Sequence, residues 1–327
     1  MTSERIAVVL FQLGGPDSLD AIEPFLFNLF MDPDIIDFPL ARFMRRPLAK
    51  LISTSRSKKV AVNYGMIGGK SPILDLTRSQ ASALQNELNG KIPATVFVAM
   101  RYWHPLTSSV AEEVRSGGFG KIILLPLYPQ YSITTTGSSV NEWNRQCERL
   151  GVRNIPQKLV HHFYQNPDYL DAMVENINKA LSRLEDVSPS DINLVFSAHG
   201  VPISIIQKGD PYQKHIEETV RLVRERGGWT SPHTLCYQSK VGPAEWLKPS
   251  LNETIDRLGA DGAKNIVVIP VAFLTDHIET LHEIGIETRH RASELGISRF
   301  EVMPALNSHP KLIKALAEEV LRLARPE

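Results

Sequence analysis

Cysteine is scarce in this chain: Cys147 and Cys236 are the only two in 327 residues. They are far apart and form no CxxC pair, which argues against a disulfide scaffold or a structural zinc site and fits a reducing compartment. An all-cysteine iron–sulfur cluster takes four thiolates, so none is expected, and no other permanently bound cofactor is. Net charge is lacking too. Thirty-six basic residues balance 36 acidic ones, which argues against a nucleic-acid partner. Long apolar runs are missing: Ile6–Phe11 is too short for a signal-peptide core or a membrane span, so a cytoplasmic location is expected. Gly14-Gly15-Pro16 matches neither GxGxxG nor GxxxxGK[ST], which leaves nucleotide binding with little support. Ser197 lacks the GxSxG elbow, which weakens a hydrolase reading.

Between Asp37 and Asp75 there is no acidic residue, while Arg42, Arg45, Arg46, Lys50, Arg56, Lys58, Lys59 and Lys70 all fall there. Just before it, Phe25, Leu26, Phe27, Leu29, Phe30 and Met31 make a dense apolar cluster. An apolar lip beside a basic strip suits an anionic membrane surface or a flat apolar ligand carrying carboxylates. An amphipathic helix packed on the core, with solvated arginines, gives the same pattern.

What the chain does contain is regular alternation. At 327 residues, 43% of them hydrophobic, it has enough apolar material for two domains. Short apolar strands alternate with periodic helical stretches, the pattern of parallel α/β sheets. Strands are expected at 6–13, 95–100, 121–127, 157–161, 193–198, 233–237, 265–271 and 300–303, and helices at 72–88, 167–184, 212–226, 249–258 and 310–323. The two halves resemble each other: Lys121–Leu127 matches Asn265–Val271, Thr95–Val98 matches Thr234–Tyr237, and Ile6–Gly15 matches Ile192–Gly200, in the same order. The expected division is 1–150, 151–305 and a C-terminal helix over 306–327. Open α/β sheets take ligands where strands end.

One segment at such a place is unusual. In Asp276–Glu287, an α-helix would set Glu279, Glu283 and Glu287 in a stripe at i, i+4 and i+8, flanked by His277 and His282. Like charges at that spacing repel by a few tenths of a kcal/mol, so propensity gives no reason for the row. His199, after a strand and before Gly200, has backbone room beside it and is either a cleft imidazole or a strand-end cap. With Glu279 it makes a pair suited to a divalent first-row metal in transit, or to accepting protons. Thr134–Ser139 is rich in hydroxyls and reads as a helix cap before a phosphate cradle. Trp246 is a stacking surface or a core residue; Arg101 with Tyr102 anchors a carboxylate or forms an internal ion pair.

Seven segments together resemble ferrochelatase. They are Gln12–Pro16, Tyr64 through Gly68–Pro72, Arg101–Pro105, Tyr128–Ser132, Phe196–Pro202, Tyr237–Pro243 and Asp276–Leu281, which span nearly the whole chain in the family's order. The resemblance implies two similar Rossmann-like domains, each a parallel four-stranded sheet flanked by helices, with a porphyrin between them. It implies insertion of ferrous iron into a porphyrin, the closing step of haem synthesis, with release of two protons. By motif match His199 and Glu279 are the active-site pair that meets iron, and His277, Glu283 and Glu287 extend a proton or metal path. Leu13, Ser71, Arg101, Tyr102 and Trp246 are the expected porphyrin contacts. Leu13 stands where some relatives acting on coproporphyrin carry tyrosine, which favours protoporphyrin IX; Gly285 stands where an acidic residue is common. The expected partners are porphyrin and ferrous iron, with peripheral contact to the inner face of the cell membrane, for a monomer. A coproporphyrin III enzyme, a sirohydrochlorin-type cobalt or nickel chelatase and a non-catalytic haem carrier are the alternatives. The second would usually show histidine pairs, and the last would lose His199 or Glu279.

Overall fold

A computed structural model describes residues 5–35, 41–152, 154–240, 242 and 244–325. Asp37, Val241 and Pro243 lie outside the described residues, as does the side chain of Arg42. The chain forms two compact units, Met1–Phe163 with Ile313–Glu327 and Tyr164–Leu312.

In the first unit the order is β1 (Ile6–Gln12), α1 (Ile22–Phe30), α2 (Ala41–Met66), α3 (Ile73–Leu88), β2 (Ala94–Met100), α4 (Thr107–Ser116), β3 (Lys121–Pro126), a π-helical turn (Ile133–Gly137), α5 (Ser138–Leu150) and β4 (Gln157–Leu159). The strands pair in the order β2-β1-β3-β4, all parallel. All seven residues of β1 are buried, as expected of a strand covered on both faces. Each fully buried aliphatic side chain contributes about 1.5–3 kcal/mol of transfer free energy, so such a strand cannot be left at an edge. Phe11 packs on Trp143 of α5 at 5.9 Å between ring centroids.

The second unit repeats the plan. It runs α6 (Pro167–Leu181), β5 (Ile192–His199), α7 (Ile203–Gln207), α8 (Tyr212–Gly227), β6 (His233–Gln238), α9 (Leu251–Ala260), β7 (Asn265–Pro270), a π-helix (Glu279–Thr288), α10 (Arg289–Glu294), β8 (Arg299–Val302) and the start of α11 (Pro310–Ala324). Its strands pair in the order β6-β5-β7-β8, again all parallel. Local chemistry fixes the ends: Asn166 caps α6 ahead of Pro167, Ser250 and Glu253 form a capping box on α9, and Gly228 closes α8 in the left-handed region at φ 66°. All eight expected strands are present, each within two residues of its expected ends.

Three expectations need revision. The division expected at residue 150 falls at Phe163–Tyr164, because β4 hydrogen-bonds to β3 and so completes the first sheet. Most of α11 groups with the first unit, where Lys121 Nζ donates to the Leu323 carbonyl at 2.6 Å. The apolar lip at Phe25–Met31 is largely turned inward, with Phe25, Leu26 and Phe30 all below 10% exposure. Most of the exposed large apolar residues among those described lie instead on α2: Phe43 at 75%, Leu51 at 68%, with Met44, Val62 and Met66. Glu23 of α1 takes hydrogen bonds from Lys50 and Thr54, which sets α1 against α2.

Candidate active site

His199 is the last residue of β5 and is paired in register with Gln238 of β6. Its side chain is 37% exposed, and Tyr212 Oη donates to its carbonyl at 3.0 Å. Nδ1 lies 2.8 Å from Glu279 Oε2, and the ring edge meets Phe273. With Nδ1 donating to the carboxylate, Nε2 keeps a lone pair that has no protein partner among the described residues. A nitrogen in that state can take a proton or bind a metal.

Glu279 opens the π-helix. Its carboxylate also takes a hydrogen bond from Ser239 Oγ at 2.9 Å. Burial acts to raise its pKa, but the neighbouring imidazole and the hydrogen bond outweigh it and hold the carboxyl at about 2. Burial likewise acts to lower the pKa of His199, and the Glu279 charge with its hydrogen bond reverses this, so the imidazole is raised. Glu283 moves the other way, pushed up by burial and by the charge of Glu279.

The expected acidic stripe is only partly formed. The segment is a π-helix, with its ladder widened to i→i+5 and Thr288 Oγ1 reaching back to the Glu283 carbonyl at 2.7 Å. Glu279 and Glu283 meet at Ser239, whose N–H donates to Glu283 Oε1 at 2.9 Å and whose Oγ lies 2.5 Å from Glu283 Oε2. Glu287 is 55% exposed and faces buried His282 at 3.7 Å. His277 is buried, bonds the Thr275 carbonyl through Nδ1 at 3.0 Å and packs on Phe273 at 4.4 Å. Burial lowers its pKa, so it stays neutral near pH 7.

Trp246 bridges to Pro202, and its ring lies 3.3 Å from where a Cβ on Gly200 would stand, so glycine beside His199 makes room for the indole. The other expected contacts lie in the first unit. Leu13 follows β1 and is half-buried. Ser71 is buried, and its Oγ lies 2.6 Å from where a Cβ on Gly15 would stand; its N–H donates to the Pro16 carbonyl at 2.8 Å. Arg101 forms the internal ion pair: its Nη2 is 3.0 Å from buried Asp32, and its Nε donates to Ser138 Oγ at 2.8 Å. Tyr102, 1% exposed, gives its hydroxyl to the same Asp32 and so buttresses Arg101. The cap expected of the hydroxyl-rich stretch is not formed: α5 has Gly137 at its N-cap with no side-chain cap, and it is Ser132, just before the stretch, that caps the π-helical turn by accepting from the Thr134 N–H at 3.2 Å.

Sequence reasoning missed Ser239, Asp32, Ser138 and Phe273 as members of these networks. Ser239 gives little signal beyond its place in Gln238-Ser239-Lys240, because its φ of 66° belongs to the fold and not to the residue type.

The family model for ferrochelatase matches residues 5–323. Similar curated proteins include the ferrochelatase of Trichodesmium erythraeum, 44% identical over 323 residues, which cover 97% of this chain and 82% of that protein. The ferrochelatase of Synechocystis sp. is 44% identical over 321 residues, with the same two coverages. Among solved structures, SirB from Bacillus subtilis with Fe3+ is similar in fold, with a TM-score of 0.58 at 12% identity over 98% of this chain and 96% of that one.

Proposed function

The chain belongs to the ferrochelatase family and is a metal-chelatase enzyme, and on that premise we propose that it inserts ferrous iron into protoporphyrin IX. The observation that carries this reading is the His199–Glu279 hydrogen bond, which orients the imidazole and leaves Nε2 available. Metallation exchanges two pyrrole N–H protons for one Fe2+. His199 Nε2 takes a pyrrole proton, and the Glu279 carboxylate, held ionised, stabilises the imidazolium that results. Once that proton has left Nε2, the neutral imidazole and the carboxylate offer one nitrogen and one oxygen ligand that suit a first-row dication. Glu283 receives protons that leave the pair, and Glu287 and His282 stand further along the π-helix. Leu13 is apolar where some relatives acting on coproporphyrin carry tyrosine, which favours protoporphyrin IX. No resident iron–sulfur cluster belongs to this reading: Cys147 and Cys236 are buried in separate cores.

The test is an anaerobic assay of ferrous iron with protoporphyrin or coproporphyrin, followed by metalloporphyrin absorbance. Protoporphyrin should turn over faster, and His199→Ala should lose about three orders of magnitude in kcat while still binding porphyrin. Full activity in that variant ends the mechanism. Preference for coproporphyrin moves the enzyme to the other substrate branch, and porphyrin binding without any turnover makes it a carrier.

The membrane reading now rests on α2. Met44, Leu51, Val62 and Met66 recur at near-whole helical turns, flanked by exposed Lys58 and Lys59. That stripe docks on the anionic inner face of the cell membrane, from the cytoplasm. No described helix is long and apolar enough to cross a bilayer. Flotation with anionic liposomes should fall at least about threefold in Leu51→Glu; equal flotation of variant and parent rejects docking through α2.

A further inference from the structure

His199 is held by its ring from one face of the sheet and by its backbone from the other. β5 lies between β6 and β7, and the right-handed crossovers that lead out to β6 and back to β7 put α8 and α9 on opposite faces. The π-helix stands on the α9 face, where Ile284 packs with Leu251, Ile255 and Val195. Glu279 opens that π-helix and takes the bond from Nδ1. Tyr212 opens α8 on the other face, and its Oη donates to the His199 carbonyl at 3.0 Å.

The strand pattern explains why that carbonyl takes a side-chain donor. Along a parallel strand, successive residues bond alternately to the two neighbouring strands. The Gly200 N–H donates to the Gln238 carbonyl at 2.8 Å, toward β6, so the His199 carbonyl one residue back faces β7. There β7 ends at Pro270, and the last bond it sends across runs from the Val271 N–H to the Ser197 carbonyl at 2.9 Å. No backbone N–H among the described residues reaches the His199 carbonyl. An unpaired carbonyl at a partly buried place is costly, and the phenol supplies what the strand no longer does. Tyr212 is itself fixed: it is 5% exposed, and its N–H donates to Asp210 Oδ1 at 2.8 Å. Tyr169 of α6 makes the corresponding bond one strand over, to the Val271 carbonyl at 3.3 Å.

We propose that Tyr212 is a positioning residue for metallation, anchoring the end of β5 from which the His199 imidazole projects. Glu279 sets the rotation of the ring, and Tyr212 sets where its root stands. Each is needed to aim Nε2, because a bond at Nδ1 alone leaves the ring free to follow any drift of the strand end. A root that shifts carries Nε2 with it, and reacting groups misplaced by about 1 Å lose about 100-fold in rate. Tyr212 acts through His199 and not on the porphyrin. This inference rests on the reading of the His199–Glu279 pair given above.

Tyr212→Phe keeps the ring and its packing and removes only the hydroxyl. In the anaerobic assay it should lower kcat about 10-fold while leaving the porphyrin KM within about twofold. Tyr169→Phe takes the same kind of hydroxyl from the Val271 carbonyl and is the control, with kcat expected within about twofold of the parent. Replacing Tyr212 by 4-aminophenylalanine keeps a donor at the same place and should bring kcat back to within about threefold of the parent. A Tyr212→Phe kcat within about twofold of the parent overturns the proposal, as does an equal loss in Tyr169→Phe, which would be general loosening. A 4-aminophenylalanine protein as slow as Tyr212→Phe overturns it too, and so does a Tyr212→Phe protein that fails to fold, since the hydroxyl would then serve the fold. If the parent turns over neither porphyrin, the proposed function fails and Tyr212 is judged without turnover. The ring 1H–13C resonance of His199 in the metal-free protein should then shift in Tyr212→Phe and stay in place in Tyr169→Phe. An unmoved resonance in Tyr212→Phe overturns the role.

Discussion

The two units carry the same sheet and opposite chemistry at its carboxyl edge. In each, the strand order is second, first, third, fourth, and a π-helical segment follows the third strand. The last paired positions are Gln12 with Met100 in the first unit and His199 with Gln238 in the second, so Arg101 and Ser239 occupy equivalent places just after them. At that place the first unit sets a guanidinium against a buried carboxylate, with Tyr102 and Ser138 filling the remaining valences. The second sets a serine between two glutamates, with a histidine hydrogen-bonded to one of them. One edge is neutralised and closed. The other leaves His199 Nε2 without a protein partner among the described residues, which a structural ion pair would not need.

If the difference is real, breaking the two edges should damage different properties. Arg101→Ala leaves Asp32, whose side chain is fully buried, without its cation. That should cost about 3–5 kcal/mol of stability, and roughly 10 °C in the melting temperature. Glu279→Gln, at an 18% exposed position that keeps a hydrogen-bond acceptor, should cost about 1 kcal/mol or less while removing most turnover. Calorimetric melts of both variants with steady-state assays would decide it. If Arg101→Ala melts like the parent and is inactive, the first edge too is a reaction site, and the contrast drawn here collapses.

The sequence was most legible where burial repeats. Val8, Val9 and Leu10, like Val267, Val268 and Ile269, are apolar on consecutive positions, and only a strand covered on both faces makes that pattern stable. The shared order of those runs in the two halves made the duplicated sheet readable as well. Direction was harder to read. Phe25, Leu26 and Phe30 are as apolar as Phe43 and Leu51, and composition does not tell which set α1 and α2 turn toward each other. The spacing of Glu279 and Glu283 was right, but α- and π-helices share it over one turn, so the widened ladder left no mark in the residues. Asp32 joins Tyr102 and Ser138 from 70 and 106 positions away. Only the fold brings such partners together, and the same holds for Ser239, 40 positions before Glu279.

Proton occupancy offers the finer test of the contrast. Because Glu279 raises the pKa of His199, the imidazole in the metal-free protein should titrate above the ordinary value of about 6.5. In Glu279→Gln the raising charge is gone and burial dominates, so the same resonance should titrate below that of the parent. The pair also sets a pH window for stability. A base with a raised folded pKa contributes stability that is complete below its unfolded value and is lost as pH climbs through the folded one. A carboxyl held down at about 2 contributes stability that is present above its unfolded value of about 4.3 and is lost as pH falls toward 2. The parent should therefore exceed Glu279→Gln in stability most between about pH 4.5 and 6.5, where both conditions hold. Turnover runs the other way: Nε2 must be neutral to accept a pyrrole proton, so kcat/KM should rise with pH through the raised His199 value. An imidazole that titrates at or below 6.5 in the parent would mean that Glu279 does not hold its partner charged, and the edge of the second unit would then be as closed as that of the first.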